Sequence, residues 1–246
     1  MDKEYAKEIL MHFLSFPLTE SDGILGAFAS LPNAEAHFDG KKRCFVYVPG
    51  SRPDRVLLLA HADTVWDSAY GEEGAVQTLA EEDGILSGKD PRVGIGADDR
   101  AGCAMLWLLR ESGHSLLVLD GEEGGLIGST HLSERYPALY DELNRHSYML
   151  QLDRRGATDY KVYRLPVSRE FRSFIEEGIG YRDAGRSSAT DIVALCRDIC
   201  GVNLSVGYAN EHSAQETLSI PRWLATLEGV ERLLTPAQRR YPLLDV

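Results

Sequence analysis

The chain has 246 residues and 43% hydrophobic content, enough to bury one large core, and no repeat or Pro/Ser-rich linker divides it. Its formal net charge of −12 argues against a nucleic-acid surface, and with no long apolar span and no leader pattern at the amino end, no membrane partner and a cytoplasmic location are expected. The four cysteines, Cys44, Cys103, Cys196 and Cys200, lack redox or structural-zinc spacing and are expected to be reduced, buried thiols.

Residues 2–15 read as a charged amphipathic helix. Val56-Leu57-Leu58-Leu59-Ala60 is a continuous apolar run, as a strand buried on both faces requires, and it empties into His61-Ala62-Asp63. His61 therefore stands at the carboxyl end of a strand, where open α/β sheets bind ligands. Asp63 is placed to accept the second ring N–H of His61; the bland alternative is a strand-end histidine bonded to a turn carboxylate. Residues 82–88 look like a hairpin. Gly94-Ile95-Gly96-Ala97-Asp98-Asp99 forms a glycine-flexible loop feeding a helix over 99–111, with Asp98 or Asp99 at the N-cap or in the first turn. The spacing of its glycines does not meet the dinucleotide fingerprint.

The next buried strand, 115–120, runs into Gly121-Glu122-Glu123-Gly124-Gly125. Adjacent carboxylates repel unless a cation or proton intervenes, so one can bind metal while the other moves a proton; a solvated acidic turn is the alternative. A strand over 147–153 ends in Asp153 and is followed by Arg154 and Arg155. Helical patterns cover 170–179 and 190–200, and a β-type segment from Asn203 turns at His212 into a helix over 214–234. His12, His37, His114, His131 and His146 lack a comparable setting and read as surface or packing residues. Strand-like runs alternating with helical patterns mean an α/β fold: three layers, a largely parallel twisted sheet with helices on both faces, and one catalytic domain over 1–246.

The ordered set His61-Ala62-Asp63, Gly96-Ala97-Asp98-Asp99-Arg100-Ala101-Gly102, Asp120-Gly121-Glu122-Glu123-Gly124, Leu152-Asp153 and Glu211-His212-Ser213-Ala214-Gln215-Glu216 resembles the zinc-dependent exopeptidases. These include peptidase T, the carboxypeptidase and aminoacylase group, and related zinc aminopeptidases. The resemblance implies two zinc ions bridged by Asp98, one also held by His61 and Asp153, the other by Glu123 and His212. It makes Glu122 the general base, with Asp63 beside it in the catalytic set. Imidazole and carboxylate are ligands that zinc accepts, and Co²⁺ or Mn²⁺ fits the same donors. Arg100 stands where many relatives carry Lys. A Gly-Gly-Thr-Asp-like segment ends at Asp191, only 38 residues after Asp153, which leaves no room for the lid or dimerisation domain of many relatives.

The expected activity is metal-dependent hydrolysis of a terminal peptide or amide bond, with an aminopeptidase on short peptides ahead of an N-acyl amino acid deacylase or carboxypeptidase. Arg154 or Arg155 could hold a substrate carboxylate, and Asp191 or Glu216 a substrate amino group. A metal-binding protein without turnover is the non-enzymatic alternative. Glu122 counts against it, because a bare store gains nothing from a second carboxylate pressed against Glu123. Oligomeric state is left open.

Overall fold

The computed structural model describes residues 2–67 and 76–245. Helices α1 (Lys3–Leu14) and α2 (Asp22–Ala29) precede strands β1 (Glu35–Phe38), β2 (Cys44–Val48) and β3 (Leu57–His61). A hairpin of β4 (Leu79–Glu82) and β5 (Ile85–Gly88) leads to α3 (Ala97–Leu108), β6 (Ser115–Leu119), α4 (Ile127–Arg135) and α5 (Pro137–Leu143). Then come β7 (Met149–Arg154), β8 (Asp159–Lys161), α6 (Arg169–Ile179), β9 (Arg182–Asp183) and α7 (Asp191–Leu195). The chain closes with β10 (Gly201–Ser205), β11 (Tyr208–Ala209), β12 (Thr217–Ser219) and α8 (Ile220–Leu234).

The main sheet has eight strands in the order β1-β2-β6-β3-β7-β10-β8-β9. Its centre, β6-β3-β7-β10, is parallel, and β2 and β8 run antiparallel against it. Side chains alternate across this sheet with period two, as the pleat dictates. Leu58, Ala60, Leu116 and Val118 join the core under α1, α2, α3, α6 and α8, whereas Leu57, Leu59, Leu117 and Leu119 join the one under α4, α5 and α7. Both faces are covered, which is why β3 and β6 read as unbroken apolar runs. A second, antiparallel sheet, β11-β12-β5-β4, packs beside the carboxyl ends and carries the turn with His212. Among the described residues no helix is long and apolar enough to cross a membrane.

Two helix boundaries differ clearly from expectation, and one helix was not expected. The helix expected over 214–234 begins only at Ile220, because Thr217, Leu218 and Ser219 pair with β5 and β11 as β12; Pro221 then opens α8 where its missing N–H is harmless. The helix expected over 190–200 stops at Leu195. Arg197 and Asp198 donate their N–H groups to Asn144 Oδ1 at 2.9 and 3.0 Å, so the next turn has nothing to close on. Helix α4 was invisible to periodicity because its buried positions are Gly128, Ser129 and Leu132.

Candidate metal centre

His61 ends β3, Asp153 sits in β7, Glu122 and Glu123 follow β6, and Asp98 opens α3, so four segments deliver their side chains to one edge of the parallel sheet. At Asp98 and Asp99 the backbone leaves helical values (ψ 101° and 41°), which turns the two carboxylates in different directions. His212 comes from the β11–β12 turn with φ +59°, a conformation uncommon outside glycine. Gly102 is required for close approach: a Cβ there would lie 2.0 Å from the carbonyl oxygen of Leu152, so α3 can settle against β7 only without one.

The two oxygens of Asp98 face two different histidines. His61 Nε2 lies 3.2 Å from Asp98 Oδ1 and 3.4 Å from Asp153 Oδ1. His212 Nε2 lies 3.1 Å from Asp98 Oδ2 and 3.0 Å from Glu123 Oε1. Four ligands tetrahedrally arranged at ~2.0–2.1 Å from zinc stand ~3.3 Å from one another, so both clusters have the spacing of a shared cation. The buried Glu123 Oε1 faces His212 Nε2, and a cation between the two would serve both. The donors, two imidazoles and three carboxylates, suit zinc, and the residues therefore fit a metal pair. The groups His61–Asp98–Glu123 and His61–Asp99–Asp153 each bring their donor atoms within 4.8 Å of one another.

Surrounding groups orient these donors. His61 Nδ1 lies 3.0 Å from the Asp63 carbonyl oxygen and 3.3 Å from Asp63 Oδ1, leaving Nε2 for a metal. The carboxylate of Asp63 also accepts the N–H groups of Glu122 and Glu123 at 3.1 and 3.2 Å, tying the β6 turn to the β3 end. Asp153 Oδ2 accepts from Gln151 and Thr190, both at 2.8 Å, and Oδ1 from the Tyr208 hydroxyl at 3.2 Å. Asp99, fully buried, accepts the His61 N–H at 3.3 Å.

Electrostatically the cluster of acids and histidines is under tension. Burial opposes a charge on His61, but Asp153, Asp63 and Asp98 outweigh it and lift its pKa well above the usual value. The carboxylates of Asp98 and Glu123 raise His212 to about 11. Burial pushes Glu122 up to about 9 and also raises Asp153 and Glu123. Packed acids held back from ionising in this way are what bound cations relieve.

Asp98, Glu122, Asp153 and His212 line a cavity of about 320 Å³, and so do Arg154 and Arg155. Both arginines are already paired, Arg154 bidentately with Asp159 at 3.0 and 3.1 Å and Arg155 with Glu211 at 2.7 Å. The expected amino-group acceptors are not among the lining residues. Glu216 is buried and accepts three backbone N–H groups, from Ile95, Gly96 and Asp98 at 2.8–2.9 Å, so it shapes the loop that presents Asp98. Asp191 is fully buried with neither oxygen hydrogen-bonded, and burial pushes it up to about 7. Arg100 points away from the centre, into the carbonyls of Phe16, Pro17 and Glu20, tethering the α1–α2 loop. The sequence offered one missed clue to the supporting shell: Gln151, a polar residue in a buried run, lies two positions before Asp153 and so on the same strand face.

Comparison with known proteins adds the family level. The sequence model of Peptidase family M28 matches residues 45–179. No curated protein sequence matches the chain. Among solved structures, aminopeptidase PepT from Bacillus cereus ATCC 10987 superposes with a TM-score of 0.67 at 14% identity, covering 96% of this chain and 98% of the other. A tripeptidase from Staphylococcus aureus subsp. aureus Mu50 gives 0.67 at 12% identity, covering 96% and 98%. An aminopeptidase from the archaeon Desulfurococcus kamchatkensis gives 0.67 at 12% identity, covering 96% of each chain. At such identities the likeness is one of fold.

Proposed function

We propose, on the premise that this chain belongs to peptidase family M28 and is thus a metallopeptidase, that it is an aminopeptidase acting on short peptides. The observation that carries the reading is the division of Asp98 between two histidine–carboxylate clusters, each spaced for one cation. Asp98 would bridge, His61 and Asp153 would complete one site, and Glu123 and His212 the other. Bound zinc supplies Lewis acidity, polarising a scissile carbonyl and making water acidic near neutral pH.

The chain's own side chains do the rest. Glu122 lines the cavity beside the proposed ligands, with its backbone fixed by Asp63, and takes a proton from water to hand on to the leaving amine. Asp63 fixes the ring of His61, and Gln151, Thr190 and Tyr208 fix Asp153. Solved structures of the same fold include two aminopeptidases and a tripeptidase, which favours substrates with a free amino terminus. Hydrolysis of N-acyl amino acids is the second reading, supported by the cations in the same cavity.

The test is metal content by elemental analysis, followed by assay of the same sample against dipeptides, tripeptides, amino acid amides and N-acyl amino acids, with and without chelator. Near two metals per chain and chelator-sensitive release of the amino-terminal residue is the expected result. Turnover of N-acyl amino acids alone would shift the assignment to the second reading. No metal after zinc reconstitution would sink both.

A further inference from the structure

Three cationic side chains line the cavity, and their partners differ. Arg154 and Arg155 are neutralised by Asp159 and Glu211. Lys161, at the end of β8, is only 7% exposed and has no carboxylate within ion-pair distance among the described residues. Its Nζ donates to the Ser187 carbonyl at 3.1 Å, lies 3.2 and 3.4 Å from the hydroxyls of Ser187 and Ser188, and stands 5.8 Å from the Tyr163 ring centroid. Asp159 and Asp183 act on it only at longer range, while burial and the two arginines work against its charge. A buried ammonium left to neutral dipoles is costly, more so in a chain of net charge −12 where carboxylates abound. Lys161, Ser187 and Ser188 open onto the same cavity as the proposed metal ligands, so the cavity is polarised, acidic on one wall and cationic on another.

We propose that Lys161, with the hydroxyl of Ser187, anchors the free C-terminal carboxylate of a short peptide whose scissile bond lies at the acidic centre. The Ser188 hydroxyl donates to the Ser187 carbonyl, but the Ser187 hydroxyl proton remains to be given, and the ammonium can exchange a neutral serine oxygen for a carboxylate oxygen, a stronger, charge-assisted hydrogen bond. A volume of about 320 Å³ is at the low end for small-molecule sites, which suits two or three residues and not a long chain. The cavity thus reads both ends of its substrate, and selection by length follows from the span between anchor and metal centre. This inference rests on the peptidase reading above and narrows its substrate class. The competing account is that Lys161 only clamps residues 187–188 to β8, in which case its loss affects every substrate alike.

The experiment compares trialanine with trialanine amide on the zinc-loaded wild type, Lys161→Met and Lys161→Arg. In the wild type, kcat/KM should favour the free acid by about tenfold to a hundredfold, chiefly through KM, since a hydrogen-bonded charge is worth that much. Lys161→Met should collapse the ratio toward one, and Lys161→Arg should retain most of it. A wild-type ratio near one, or an equal fall on both peptides in Lys161→Met, overturns the anchor. If neither peptide is cleaved, the peptidase reading fails on its own, and the anchor is judged by calorimetric titration of both peptides into the same proteins. Tighter binding of the acid by tenfold or more, lost in Lys161→Met, upholds it; equal affinities or no binding overturns it.

Discussion

The same parallel strands end in two different kinds of polar burial. At their amino ends His114, Ser115, His146 and Ser147 are all buried, and all are satisfied within the chain. His114 Nδ1 accepts the Val56 N–H at 3.0 Å and its Nε2 donates to the Leu234 carbonyl at 3.2 Å. His146 Nδ1 donates to the Leu143 carbonyl at 3.0 Å, its Nε2 accepts from the Ser115 hydroxyl at 2.8 Å, and Ser147 donates to the Asp54 carbonyl at 3.1 Å. At the carboxyl ends, by contrast, acids crowd together, Glu123 Oε1 meets only another proposed metal ligand, His212, both oxygens of Asp191 have no hydrogen bond, and burial raises several pKa values at once. An unpaired buried atom alone does not mark a site, since Arg55 Nε at the amino ends is one too; what sets the carboxyl ends apart is several buried acids crowded together, which a cation from outside would complete. Histidine occurs at both ends, so residue type alone does not separate them.

The sharpest way to break this contrast is Glu122→Gln. It should lower kcat by roughly two to four orders of magnitude while zinc per chain stays the same, because the base is lost and the proposed ligands are kept. An unchanged rate would remove Glu122 from its role. Next in size is metal removal. Stripping the metal should lower stability by about 4 kcal/mol for each site relative to protein held at a thousandfold excess of zinc over its dissociation constant. A melting temperature indifferent to chelator would mean that the acids at the carboxyl ends are not completed by cations.

The amino end makes a prediction of opposite sense. Burial holds His146 down to about 4, so on acidification the unfolded chain takes up its proton first. The stability that this neutral histidine contributes is fully present above about pH 6.5 and is lost as pH falls toward 4, by on the order of 2–3 kcal/mol. The raised acids at the carboxyl ends shift stability the opposite way over this range, so the His146 contribution is read as the difference between wild type and His146→Gln in denaturant titrations at pH 7 and 4.5, with zinc content unaltered. Glu216→Gln probes the border between the regions, since Glu216 is structural in its bonds and functional in what it positions. Zinc affinity measured by competition should fall about tenfold to a hundredfold with little change in fold. Smallest of all, Arg155→Ala should cost less than about 1 kcal/mol in denaturant titration, because its pair with Glu211 is solvent-exposed.

Much of the fold was legible before any coordinates. The unbroken apolar runs of β3 and β6 announced strands covered on both faces, and the order of His61, Asp98, Glu122, Glu123, Asp153 and His212 along the chain pointed to their meeting. Strand ends in a parallel sheet share one edge by construction, so a charge that follows an apolar run has its location set by local pattern. What local pattern could not decide is which charges face the cavity. Glu216 and His212 lie in one short segment, yet the β12 pairing with β5 sends Glu216 down to the backbone amides of Ile95, Gly96 and Asp98 and leaves His212 at the mouth. Arg154, Arg155 and Lys161 are equally cationic in the sequence, and only the folded chain brings Asp159 and Glu211 to the first two while leaving the third to serines. Hydrophobic periodicity is a property of neighbours along the chain, whereas the pairing of charges depends on contacts across it, and those exist only once the sheet is assembled.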